Sequence, residues 1–114
     1  MTRSNANLLR GTLDLLVLRA LEAGPRHGYG ILEWIERAVS PELVVEEGTL
    51  YPALHRMEDE GWIAARWGVS ENNRKAKYYR LTRKGMQRAD REATEWRAYA
   101  ARVGRALGAG EAAT

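Results

Sequence analysis

The spacing of apolar residues changes along the chain, and each change predicts a different element. From position 8 to 23, leucine or valine stands at 8, 9, 13, 15, 16, 17, 18 and 21, interrupted by Asp14. On a helix these side chains go nearly all the way round between Leu13 and Leu21, so the helix needs burial on several sides. A central core helix and a helix shared with a partner subunit both satisfy that need. Gly24-Pro25 ends it. Residues 26–38 predict a second helix with Ile31, Leu32 and Ile35 inward. His27, Gly28 and Tyr29 fall at its start, where free N–H groups and the helix dipole favour an anion such as phosphate; a capping or packing role for His27 is the alternative. Residues 1–7 are polar and read as loose chain, and residues 39–46 read as a connector in which Leu43, Val44 and Val45 suggest a very short strand.

Residues 47–61, EGTLYPALHRMEDEG, organise the rest. Leu50, Leu54 and Met57 recur at helical spacing and share one face. Thr49, Tyr51, Pro52, His55 and Arg56 lie off that face. Pro52 is tolerated near a helix start, where its missing N–H has no acceptor to lose. Gly48 or Thr49 is expected as the N-cap, and Gly61 as the left-handed residue that ends the helix. A hydroxyl, a phenol, an imidazole and a guanidinium within two turns suit contact with phosphates and base edges in a DNA major groove. An ordinary amphipathic helix with a polar outside is equally compatible with this stretch alone.

The period then drops to two. In residues 62–68, WIAARWG, Ile63, Ala65 and Trp67 alternate with Trp62, Ala64 and Arg66; in 76–82, Lys77, Tyr79 and Leu81 alternate with Tyr78 and Arg80. Turn-rich VSENNRK between them predicts a β-hairpin. The final segment returns to helical spacing. Thr82 caps a helix from about Arg83 to Leu107, and Met86, Ala89, Ala93, Trp96, Ala100, Val103 and Leu107 form an unbroken heptad seam. Such a helix is ~37 Å long, more than a small domain needs to cover itself. A homodimer is expected, with Leu13, Leu16 and Val17 of the first helix and Met86, Ala89, Ala93, Trp96, Ala100 and Val103 of the seam at its interface. Packing of the seam on the first helix of the same chain is the alternative. Residues 108–114 read as a flexible tail.

The fold class expected is therefore mainly α with a small β-hairpin. At 114 residues the chain is read as one domain, with a core over 8–82 and the long helix over 83–107. Its net charge of +3 decides little by itself, but the charge is uneven: Arg74 to Arg91 holds eight Lys or Arg and one acid, Asp90. A solvated face or a phosphate-neutralising patch would look like this. The absence of cysteine excludes disulfides and thiolate chemistry and agrees with a cytoplasmic setting. No stretch reaches the ~18 apolar residues of a membrane span, and no signal peptide is evident. His27 and His55 stand 28 positions apart, and Glu58, Asp59 and Glu60 crowd one helix end. Neither arrangement makes a metal or acid–base site, so neither an enzyme nor a cofactor or metal is expected.

The stretches LLRGTLDLLVLRAL, GPRHGYGI, EEGTLYPALHRMEDEGWI and AKYYRLTRKG, with the late Trp96, together resemble the PadR family of bacterial transcriptional regulators, in its short single-domain form. The resemblance spans about residues 8–103. It implies a winged helix-turn-helix with a long C-terminal dimerisation helix, and a homodimer that binds double-stranded DNA at a pseudo-palindromic operator and represses a nearby gene. It implies that Thr49, Tyr51, Pro52, His55 and Arg56 enter the major groove and that His27 and Tyr29 touch the DNA backbone. Asn73, Arg74, Lys75 and Lys77 on the wing would grip phosphate or the minor groove. It also implies release by a small aromatic or flat hydrophobic effector at the dimer interface, with Trp96 as a candidate stacking residue; a packed knob is the other role open to Trp96. The competing function is a winged-helix protein-interaction module without specific DNA binding.

Overall fold

The computed structural model describes residues 2–108, with side chains from residue 11 onward. Helix α1 (Thr2–Glu22) leads into a two-residue strand β1 (Arg26–His27), then α2 (Gly28–Ala38), α3 (Glu47–Asp59), β2 (Ile63–Val69), β3 (Lys75–Leu81) and α4 (Arg83–Leu107). The expectation of a mainly α chain with a small hairpin holds, with one addition. The sheet has three strands in the order β1-β3-β2, both pairings antiparallel. β1 pairs Arg26 with Tyr79 and His27 with Tyr78. Two residues are too few to show alternation, so only the partner strand reveals β1.

Other local expectations shift. α1 begins at Thr2 rather than near Leu8, and the expected tail residues 109–114 lie outside the described residues. Leu43, Val44 and Val45 form no strand; Leu43 and Val45 instead pack partly buried against the core. Helix α3 starts one turn-fraction earlier than expected, with Glu46 as an N-cap that makes no side-chain cap hydrogen bond. Gly61 follows its end with φ +81°, a conformation that disfavours any side chain.

The core is built from α1, α2, α3 and the inner face of the sheet. Leu18, Ile31, Ile35, Leu50, Leu54, Met57 and Ile63 are all fully buried. Leu50, Leu54 and Met57 are the inward stripe expected of α3. Leu13, Val17 and Ala89, expected at a dimer interface, lie in this same core. They are almost wholly covered within one chain and have no surface left for a partner. The heptad spacing marks which residues face a neighbouring helix but not whose helix it is; α4 packs on α1 of its own chain and buries Gly85 and Ala89.

Thr82 joins α4 to this body. Its hydroxyl oxygen accepts the N–H of Gly85 at 3.0 Å, the expected cap. Its hydroxyl hydrogen is shared between the carbonyls of Gly61, at 2.6 Å, and Trp62, at 2.9 Å. One side chain thus satisfies a free helix donor and anchors the root of α4 to the chain just after α3.

Candidate nucleic-acid interface

His27 shows how the site is assembled. Its Nδ1 accepts the N–H of Gly30 at 3.0 Å and caps α2. A ring that accepts at Nδ1 carries its hydrogen on Nε2. Nε2 lies 3.5 Å from Oε1 of Glu71 in the hairpin loop, and the ring tilts against Tyr78 with centroids 5.2 Å apart. The imidazole expected to touch DNA backbone is therefore occupied at both nitrogens and ties the start of α2 to the wing. The Glu71 carboxyl is held below its ordinary range, first by a hydrogen bond to its own backbone and then by His27.

The wing is the β2–β3 hairpin. Its loop closes through Ser70 N–H to the Arg74 carbonyl at 2.8 Å and Asn73 N–H to the Ser70 carbonyl at 2.9 Å. Asn73 has φ 60°, which asparagine tolerates better than most residues, so part of its role is to make the turn. On the strand face shared with the core, β2 carries Ile63, Ala65 and Trp67 outward in succession, opposite Leu81, Tyr79 and Lys77. The apolar surface thus runs out of the core and ends in Trp67, which is 61% exposed. The Lys75 ammonium stands over the Trp67 ring at 5.2 Å and that of Lys77 over Tyr79 at 5.6 Å. Lys77 also approaches Glu58 of α3 at 3.4 Å.

Between the wing and the starts of α2 and α3 lies an open groove of about 810 Å³. Of the residues expected at a DNA interface, His27, Tyr29, Tyr51, Arg74, Lys75 and Lys77 line it. Thr49, Pro52 and His55 are exposed on α3 beside it, and Asn73 is exposed at the wing turn. Tyr51 leans across the groove wall onto Gly28, where any β-carbon would collide with its phenol ring. Burial, and secondarily the charge of Glu47, raises the Tyr51 phenol above its ordinary value, so it stays a hydrogen-bond donor at neutral pH. Arg56 is also exposed on α3, and it carries an ion pair. Its Nη1 and Nη2 donate to the two carboxylate oxygens of Asp14 on α1, at 2.9 and 2.8 Å. Several groove residues escaped the sequence reading as site residues, among them Glu33, Trp67 and Glu71. Trp67 was visible only as one member of a strand alternation, and Glu71 as a turn residue.

The second candidate surface is the outer side of α4. Met86, Trp96 and Val103 are exposed, while Ala93 and Ala100 are half-buried, as is Leu16 on α1. Tyr99 and Leu107 add to the exposed apolar residues.

A helix carrying polar side chains next to a cationic β-wing, with a long helix leaving the body, defines the winged helix-turn-helix class of DNA-binding folds. A profile described as the transcriptional regulator PadR-like family matches residues 17–91. The solved structure of a transcriptional regulator from Clostridium thermocellum superposes with a TM-score of 0.78 at 29% identity, covering 87% of this chain and 96% of that one. The PadR family transcriptional regulator from Eggerthella lenta gives 0.76 at 30% identity, covering 93% and 90%. An uncharacterized protein of Lysinibacillus sphaericus is 33% identical over 96 residues, 84% of this chain and 86% of that protein. The chain belongs to the PadR-like family of transcriptional regulators. Among the described residues no helix is long and apolar enough to cross a membrane.

Proposed function

We propose that the protein is a homodimeric, cytoplasmic repressor that binds a pseudo-palindromic operator beside the gene it controls. The observation that carries this reading is the flanking of one groove by the exposed face of α3 and by the wing cations Arg74, Lys75 and Lys77. Thr49, Tyr51, Pro52 and His55 would read base edges and neighbouring phosphates in the major groove. The wing cations would neutralise phosphate and supply affinity that depends on salt rather than on sequence.

The exposed stripe of α4 supports the dimer. Met86, Trp96 and Val103 would be covered by a second copy, with Ala93 and Ala100 allowing close approach. Two recognition helices related by a two-fold axis would then demand two half-sites. A small aromatic effector would dock beside Trp96 and release DNA by shifting one α4 against the other.

Charge reversal on the wing tests the DNA assignment. Arg74→Glu combined with Lys75→Glu alters two exposed side chains, so the fold should persist by circular dichroism. Binding to the upstream duplex, read by fluorescence anisotropy, should collapse. Retained selective affinity would sink the assignment and favour a winged helix that serves a protein partner.

A further inference from the structure

Asp14 interrupts the apolar run of α1, and its place in the fold is unusual for an acid. Its neighbours Leu13, Val17 and Leu18 are core residues, and its own side chain is only 14% exposed. A carboxylate so placed needs a partner of opposite charge. Arg56 supplies one with a two-pronged pair, Nη1 to Oδ2 at 2.9 Å and Nη2 to Oδ1 at 2.8 Å. This planar fork-to-carboxylate match fixes angle as well as distance. It spans 42 positions of sequence and joins α1 directly to α3. The hydrogen bond to Asp14 is also the chief reason that the guanidinium holds its proton more tightly than usual.

Each side of the pair bears on recognition. Arg56 is flanked on α3 by His55, which is exposed, and by Met57, which is buried. Its guanidinium is tied to Asp14 of α1 while the side chain stays 46% exposed. An arginine that presents Nη1 and Nη2 to a half-buried carboxylate has committed its end-on fork, and the tie holds the guanidinium at one angle despite that exposure.

We propose that Arg56 is a positioning residue for operator recognition: paired with Asp14, it struts α3 against α1 and sets the tilt at which Thr49, Tyr51 and His55 meet DNA. This rests on the DNA-binding role proposed above and names a residue of that same interface that works without touching DNA. It also links the recognition helix to the helix that carries Leu16 at the edge of the proposed dimer surface.

Lysine is the diagnostic substitution. Arg56→Lys keeps the charge a phosphate contact needs but cannot form the two-pronged pair. A strut predicts that R56K, R56A and D14N each lower operator affinity about tenfold, that affinity for a scrambled duplex is unchanged, and that D14N/R56A is no worse than either single change. The slope of log affinity against log salt should match the unaltered protein in all four variants. Three results would overturn the strut: R56K binding as tightly as the unaltered protein, D14N leaving affinity intact, or a slope reduced by about one per subunit in R56A, the sign of a lost phosphate contact. Chemical denaturation of the same variants gives a coupling energy between positions 14 and 56 without DNA, and additivity there would also overturn it. The unaltered protein on the two duplexes serves as the separate test of DNA binding itself: failure of that control discredits the proposed function, whereas failure of the variants discredits only the strut.

Discussion

Trp96→Ala should dissociate the proposed dimer while leaving the monomer folded. Trp96 is 45% exposed in the single chain. An indole carries roughly 250 Å² of surface, so about 110 Å² would be available for a partner to cover. At ~25 cal/mol per Å² that burial stabilises the dimer by about 2.5–3 kcal/mol per subunit. A two-fold interface buries the residue twice, giving about 5 kcal/mol in all and a dimer dissociation constant raised by about 10³-fold or more. The monomer should lose little, because the half of the ring it covers lies on a surface helix and alanine favours that helix. Sedimentation velocity over a range of concentrations reads the dissociation constant, and far-ultraviolet circular dichroism reads the fold. A variant that remains dimeric at the concentration where the unaltered protein half-dissociates would refute the reasoning and leave Trp96 as a residue that packs only within its own chain.

Two further changes separate stability from recognition. Thr82→Ala removes both the cap of α4 and the hydroxyl bonds to Gly61 and Trp62, so urea unfolding should show a loss of about 1–2 kcal/mol; a change near zero would mean that the strand and α4 hold each other without this hydroxyl. Gly28→Ala places a methyl where the Tyr51 ring lies. Because Tyr51 is exposed and can swing outward, stability should fall by less than ~1 kcal/mol while operator affinity drops about tenfold; unchanged affinity would show that the orientation of Tyr51 does not matter for recognition.

How much of this molecule could be read from its sequence depends on how local each feature is. α4 runs from Arg83 to Leu107 with Thr82 as its cap, as its heptad spacing and hydroxyl imply, because both signals lie within the helix itself. The hairpin strands followed from alternation that each strand carries alone. β1 did not, because Arg26 and His27 become a strand only by pairing with β3. Leu43–Val45, with a strand-like composition, pairs with no strand of the sheet and remains irregular. Of the groove residues, Tyr51 could be named from its place off the buried face of α3, and Arg74, Lys75 and Lys77 from turn and charge patterns. The part played by His27 could not, since its second nitrogen meets a residue 44 positions away. Arg56 was legible as a polar residue off the buried face of α3, but its partner was only hinted at by the oddity of an acid inside the apolar run of α1. Leu13, Val17 and Ala89 show the limit of periodicity, which reports that a side chain is covered and not by which chain.

The central claim is that this surface recognises a DNA sequence. The most direct measurement is fluorescence anisotropy of the purified protein with the duplex upstream of its own gene and with a scrambled duplex, at ~50 and ~200 mM salt. Three wing cations on each of two subunits imply a slope of about −5 in log affinity against log salt, so affinity should fall ~10³-fold over that range. The upstream duplex should bind at least ~10³-fold more tightly than the scrambled one at either salt. Equal and weak binding to both duplexes would contradict the account.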